Sequence, residues 1–474
     1  MNIIKYLNKA GYDTLDSGFY KLIDIWQSWY IGSVKKFHHY KMWNGKERVT
    51  CKRLGLGMAK KISEDIADLL LNERAQITIQ DNTTSDFVMD VLNANNFFII
   101  GNDYQERKAY TGTVAYVPYL NNIRIDGSGN ILTGSGDVKI NYVSAENIYP
   151  LSWCNGYISE CAFVFPKVIG TQKYNHIQIH KIQDDEYVIE NHVVENTAGA
   201  GKEIPASEWN SLKGFESMAE CVRTGSEERQ FVIDRLNIVN NWDSDNPMGV
   251  AIFANSLDVL RGIDSIYDSY INEFTLGKKR IFVAPEMLGM DLYGNPVFDP
   301  NDAIFYQLPE GFLKDGGKPI ESVDMEIRAE QHERGINDSL NMLSMKCGFG
   351  QNHYRFENGS IQTATQVISE NSDMFRSINK HELILEPVLK ELIQIIASLG
   401  KVLGVSTKPE TEIVVDFDDS IIEDKQAERQ SDRQDVSMGA MSLVEYRAKW
   451  YGETEEEAVK HVVQEIPDPD PEEE

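Results

Sequence analysis

The sequence has no long apolar run. No segment approaches the length of a membrane span, and the opening Met1-Asn2-Ile3-Ile4-Lys5-Tyr6 lacks the apolar core of a secretory signal. The chain is therefore expected to be made and kept in the cytoplasm, or to enter a particle assembled there, with no membrane partner. Cysteine is scarce. Cys51, Cys154, Cys161, Cys221 and Cys347 are odd in number and scattered, with no CxxC pair and no Cys/His cluster. This spacing supports neither a disulfide framework nor a zinc site, and a reducing compartment fits it. Positive charge is also short: 46 Lys and Arg stand against 74 Asp and Glu, a net charge of -28. A protein that grips nucleic acid needs clustered cations to neutralise phosphates, so a repressor, nuclease or polymerase is disfavoured. A channel in which DNA slides is not, because tight phosphate contacts there would act as a brake. On charge alone, simple solubility is the better explanation.

Catalytic signatures are missing too. Thr197-Ala-Gly199-Ala-Gly201-Lys202 echoes a phosphate-binding loop, but Asn196 stands where its first glycine belongs and Glu203 where Ser or Thr belongs. Gly55-Leu-Gly57 precedes a helical pattern without the third glycine of a dinucleotide site. There is no GxSxG elbow and no HExxH helix. Asp416, Asp418 and Asp419 offer oxygens to a cation, but at a strand end beside acidic residues they read as a solvated edge. No catalytic residue, metal or cofactor is expected, and the chain is not expected to be an enzyme.

The 474 residues, 42% hydrophobic and 25% charged, can build a sizeable core in two to four regions. The fold class expected is α+β. Residues 1–50 are aromatic and moderately basic and read as an amphipathic helical start, with the adjacent His38 and His39 structural or exposed. Helices are expected over Leu56–Glu73 and about 84–95. Residues about 97–200 alternate with period two between turn signals such as Asp126-Gly127-Ser128-Gly129-Asn130, predicting a mostly antiparallel β-rich stretch. Residues 196–225 read as irregular. From Pro247, apolar residues recur three or four apart at Phe253, Leu257, Leu260, Ile263, Tyr267, Tyr270 and Phe274, one stripe of a long helix. That helix ends at Gly277 before Lys278-Lys279-Arg280, which serve either as its cationic end or as a contact surface. Short β segments fill 278–323. A second helix starts near Ser322 or Asp324, and its first half (Glu326, Arg328, Glu330, Gln331, Glu333, Arg334) is polar nearly all round, which demands partners outside its own core. A loop over 347–361 leads to a long helix from about Gln362 to Leu399, kinked at Pro387. A strand at Glu412–Phe417, helices at about 420–438 and 442–465, and an acidic, Pro-rich tail complete the chain. Ser442 and Glu445 form a capping box.

Four ordered stretches resemble the portal proteins of long-tailed phages and prophages of Gram-positive bacteria: Leu56–Glu73, Gly249–Asp264 continuing into Tyr267-Asp-Ser-Tyr270, Gln362–Ser372, and Val415–Asp424. Together they span nearly the whole chain. The resemblance implies a multi-region fold: wing 1–249, stem helix 1 at 250–276, clip 277–323, stem helix 2 at 324–346, tunnel loop 347–361, wing helix 362–403 and crown 404–474. It implies a homo-oligomeric ring, twelve copies in the capsid, at one vertex of the virion. Through it double-stranded DNA is packaged and ejected without sequence specificity. The implied partners are the terminase large subunit, a head-completion or adaptor protein, and the major capsid and scaffolding proteins. It implies DNA-facing roles for Lys346, Gln351, Asn352, His353, Tyr354 and Arg355, clip or stem-end roles for Lys278, Lys279 and Arg280, and stem packing by the stripe from Phe253 to Phe274. Another virion adaptor, or a soluble enzyme using scattered carboxylates, are the alternatives.

Overall fold

Two short helices open the chain because each has a side-chain cap. Asn2 accepts from Lys5 N ahead of α1 (Ile3–Lys9), and Asp16 accepts from Gly18 N ahead of α2 (Ser17–Tyr30). Helix α2 buries Phe19, Ile23, Trp26 and Trp29 along one face. The computed structural model describes residues 2–71, 76–124, 132, 135–216, 218–276, 280–283, 305–307, 320–323, 327–354, 364–417 and 425–464.

The helical start expected over residues 1–50 gives way after α2 to a β-hairpin, β1 (His39–Trp43) and β2 (Arg48–Lys52), around Asn44 and Gly45. Asn44 Oδ1 accepts from both Lys46 N and Glu47 N, and Gly45 has a φ of +96°. Next come α3 (Met58–Leu70), β3 (Gln76–Ile79), α4 (Asn82–Ala94) and α5 (Phe97–Thr111). Helix α5 corrects the β reading of 97–200, whose first fifteen residues are helical. Its buried stripe is Phe97, Gly101, Gln105 and Lys108, half polar, so a search for apolar periodicity passes over it.

Strands β4 (Thr113–Asn121) and β5 (Asp137–Ser144) then pair with β12 (Val232–Arg235) in the order β12-β4-β5. Between them an antiparallel meander runs through β6 (Ile148–Cys154), β7 (Tyr157–Ile169), β8 (Gln172–Gln183), β9 (Glu186–Glu195) and β10 (Lys202–Ile204), with β11 (Cys221–Arg223) also on β9. Helix α1 covers one face of this sheet through Tyr6 and Leu7, while Trp209 and Phe215 pack with Tyr174 and Val193 in a separate cluster.

The principal core lies where α2, α3, α4, α5 and the β12-β4-β5 sheet meet the 39-residue α8 (Ala364–Val402). Each fully buried large side chain there, such as Trp26, Phe97, Phe163 or Leu389, contributes roughly 1.5–3 kcal/mol. Pro387 sits inside α8. Arg229, just ahead of β12, pins the helix by a two-pronged bond to Glu391, 2.5 and 2.7 Å.

The long-helix region departs from expectation at both helix starts. Helix α6 runs Leu257–Leu276, so Phe253 is not on it. Phe253 ends a buried approach, fully enclosed in the core, ahead of a 3-10 turn at Ala254–Ser256. That approach is held by two glycines in contact. A Cβ on Gly249 would lie 2.3 Å from the Gly112 carbonyl oxygen, and Gly112 itself has a φ of +86°. After α6 come β13 (Arg280–Val283), β14 (Phe305–Gln307) and β15 (Ile320–Val323), in the order β14-β13-β15. Helix α7 begins at Ala329, not near 322–324, because Ile320–Val323 is taken up in pairing with β13.

Past α8, β16 (Ile413–Asp416) pairs antiparallel with β3. The last helices are α9 (Lys425–Met438), α10 (Leu443–Tyr451) and α11 (Glu455–Gln464). The single helix expected over 442–465 is thus two, broken where Gly452 takes a left-handed conformation. The capping box of Ser442 with Glu445 is present in full.

Candidate functional site

Helices α6 and α7 run antiparallel, and named contacts fix their register. Near one end, Glu273 bonds Arg328, and His332 Nε2 lies 3.5 Å from the same carboxylate. The hydrogen bond from Arg328 holds the Glu273 carboxyl below its usual range. One turn on, the Tyr270 and His332 rings lie 5.9 Å apart. Gly335 faces Ile266. At the far end Lys346 Nζ donates to the Asn255 carbonyl at 2.7 Å.

The predicted apolar stripe changes character along this pair. Phe253, Leu260 and Ile263 are buried, Leu257, Tyr267 and Tyr270 are half-buried, and Phe274 is 48% exposed. Helix α7 repeats the gradient. Its first half is largely exposed, while Ile336, Leu340 and Leu343 are buried and Met342 and Met345 face outward. The pair is rooted in the core at one end and presents apolar and charged side chains to its surroundings toward the other.

The root of α6 is clamped by carboxylates. Asp264 accepts from Leu56 N (2.8 Å) and from His38 Nε2 (2.9 Å), and Asp268 accepts from Leu54 N (2.9 Å). His38 Nδ1 accepts from Val34 N, so the ring proton sits on Nε2 and is donated to Asp264. His38 is therefore structural, as the sequence reading has it, whereas His39 is exposed. Beside the clamp, Trp29, Ile31, Lys52, Arg53, Leu54 and Asp264 border a cleft of about 280 Å³.

After α7 the chain folds into a tight aromatic knot. Gly348 has a φ of +86°, and a Cβ there would lie 2.2 Å from Ser377 Oγ on α8, so glycine is required twice over. Phe349 is buried; the His353 ring stacks on it at 4.7 Å, and Tyr354 meets both edge-on. Tyr354 OH donates to Asp65 Oδ2 on α3 at 2.6 Å, and Lys61 holds the other oxygen of that carboxylate. Burial, then Asp65, pushes the Tyr354 phenol far up, so it stays a donor. Packing on Phe349 and Tyr354 buries one side of the His353 ring and pushes its imidazole down, favouring the uncharged form although the residue's outer edge stays exposed, and burial lifts the Cys347 thiol to about 12.

The sequence-selected residues are thus brought together only in part. Lys346, Gln351 and His353 are exposed, Asn352 is half-buried with its N–H on Asn341 Oδ1, and Tyr354 is buried. Lys346 is tied to Asn255 O, Tyr354 is a structural anchor, and His353 favours its uncharged form, so cationic contact from this knot rests on Lys346 alone among the described residues. Arg355, Lys278 and Lys279 lie outside the described residues, as do Asp418 and Asp419; of Arg280 only the backbone, in β13, is described. Five free cysteines are present. Among the described residues no helix is long and apolar enough to cross a membrane, and no three His, Cys, Asp or Glu side chains are gathered to hold a metal ion.

No local pattern marks the buried pair Lys108 and Asp234, both fully enclosed. Lys108 Nζ bonds both Asp234 oxygens at 2.9 and 3.0 Å, and Gln105 adds a third bond at 2.7 Å. Burial lowers the Lys108 ammonium below its usual range. Such a pair is costly to break because the surviving partner is left charged and dry. It ties α5 to β12.

The family model described as Phage portal protein, SPP1 Gp6-like, matches residues 16–467. No curated protein matches the chain.

Proposed function

The chain belongs to the phage portal protein family, and from that membership we propose that it is one subunit of a ring at a single capsid vertex, the channel through which DNA is packaged and later ejected. The family makes it a structural virion protein of an oligomeric, capsid-associated assembly that serves DNA packaging. The finer reading is ours. In it α6 and α7 are the two stem helices within 250–276 and 324–346, and 277–323 is the clip that docks the terminase large subunit and then a head-completion protein. The 347–361 segment is the tunnel loop, residues 1–249 and 362–403 make the wing, and 404–474 the crown. Major capsid and scaffolding proteins surround the ring. The observation that carries this reading is the antiparallel α6–α7 pair, which brackets a small sheet in a chain matched to the family almost end to end. Phe274, Met342 and Met345 lie exposed on that pair, where neighbouring copies would cover them.

The net charge of -28 per subunit gives the ring an acidic wall that repels DNA and lets it slide. Lys346 and Gln351 would offer brief, sequence-blind phosphate contacts. Mass measurement of the purified protein in solution, with negative-stain images, tests the architecture. Rings of about twelve or thirteen copies with a central hole are expected. A defined dimer or tetramer without a hole overturns it.

A further inference from the structure

The β1–β2 hairpin is the feature that the portal reading leaves unused. Among the described residues it forms a sheet of its own, pairing with no other strand. An isolated two-stranded hairpin is marginal in water, yet seven of its ten strand residues are exposed, among them Met42 at 54% and Trp43 at 62%. Its root is nevertheless fixed. His38 is locked to Asp264, Arg53 N donates to His38 O, and the Arg53 guanidinium donates to Phe37 O while lying over the Phe37 and Tyr40 rings. Leu54, next in the chain, is tied to Asp268. A clamped root with an uncovered blade describes an arm held out in a set direction.

Charge says what covers it. Residues 34–53 hold Lys35, Lys36, Lys41, Lys46, Arg48, Lys52 and Arg53 against the single carboxylate Glu47, a net +6, so the rest of the chain carries -34 of the total -28. None of Lys41, Lys46, Arg48 or Lys52 forms an ion pair among the described residues. The most basic stretch is thus segregated on an arm that projects from an otherwise acidic body. We propose that this hairpin is an assembly arm: its apolar and cationic blade, Met42 and Trp43 with Lys41, Lys46 and Arg48, docks on the acidic surface of a second copy of this chain. Exposed Ile31 and Leu54, at the rim of the cleft beside the root, extend the same surface. The arm rests on the oligomeric portal reading and adds to it a definite intersubunit contact. Opposite charges across such a contact fix register and speed encounter, and a buried Trp is a frequent energetic centre of an interface.

The test uses the full chain. A photo-crosslinking residue replaces Trp43, and isotopically heavy and light protein are mixed before irradiation. Crosslinks between heavy and light chains at an Asp- or Glu-rich segment are expected. Crosslinks confined within one chain overturn the proposal, and so does a blade that captures added duplex DNA in preference to protein. In parallel, K41E/K46E/R48E is expected to need at least tenfold more protein to form rings, with circular dichroism and thermal midpoint unchanged because the root is untouched. The milder Trp43→Ser should weaken rings in the same direction. Rings of unchanged mass and unchanged salt dependence in both variants overturn the arm while leaving the portal reading intact. Wild-type protein that forms a closed dimer without a hole overturns the portal reading, and the arm with it.

Discussion

His180 is buried with both ring nitrogens unpartnered and sits edge-on between Phe163 and Phe231, each 5.3 Å away. Burial alone pushes its imidazole down to about 3 from an ordinary 6.5. The fold therefore holds it neutral, while the unfolded chain protonates it at mild acidity. Its contribution is fully present above pH 6.5 and is lost as pH falls from there toward 3, by about 1.4 kcal/mol per pH unit. His180→Phe removes both the titration and two orphaned polar atoms. Denaturant midpoints measured from pH 7 to pH 4 should show the variant at least as stable at neutrality and increasingly ahead as acid is added; parallel curves would refute this. His381 is pushed equally low, again chiefly by burial, with Lys108 near it, so the wild-type slope in acid is the sum of more than one such group.

At the scale of elements, what the sequence made legible depended on whether a segment's partners were apolar and nearby. Helix α3 and the Ser442–Glu445 box were readable because an apolar stripe and a three-residue spacing are local signals. Helix α5 was not, since its buried face uses Gln105 and Lys108, whose partner Asp234 lies more than a hundred residues on. The hairpin was missed because its strands bury so little that alternation barely shows. In the candidate site the residues at 346–354 are legible from the sequence, whereas the contacts that hold them are not. That Tyr354 is an anchor follows from its bond to Asp65, which lies far from it in sequence. Of the two carboxylates that join α6 to the loop ahead of α3, Asp264 holds two partners and Asp268 one. Asp264→Ala would strip partners from buried His38 and from Leu56 N together, and a loss of about 3 kcal/mol is expected, read as a lower denaturation midpoint. Asp264→Asn, which keeps an acceptor oxygen, should recover part of it.

For the whole molecule, the described chain pairs a well-buried body with exposed apolar side chains on α6 and α7, Phe274, Met342 and Met345. Phe274→Ser with Met342→Ser changes two exposed positions, so the thermal midpoint of the dissociated subunit should move by less than what about 0.5 kcal/mol produces. If α6 and α7 line up against neighbours, the same double variant should shift the population in mass measurements from rings toward single subunits. Rings that tolerate it would place the neighbour contacts elsewhere.

The pairing of β3 with β16 also sets a timetable for synthesis. Residues 76–79 leave the ribosome early, and the strand that completes them, 413–416, follows roughly 330 residues later. At about 5–20 residues per second, that is on the order of 20–60 s. Throughout that interval Ile77 and Ile79 stand on an open strand edge, able to join any passing β segment. An edge left open for that long makes translation itself an interval of exposure to mispairing, well before β16 arrives to close it.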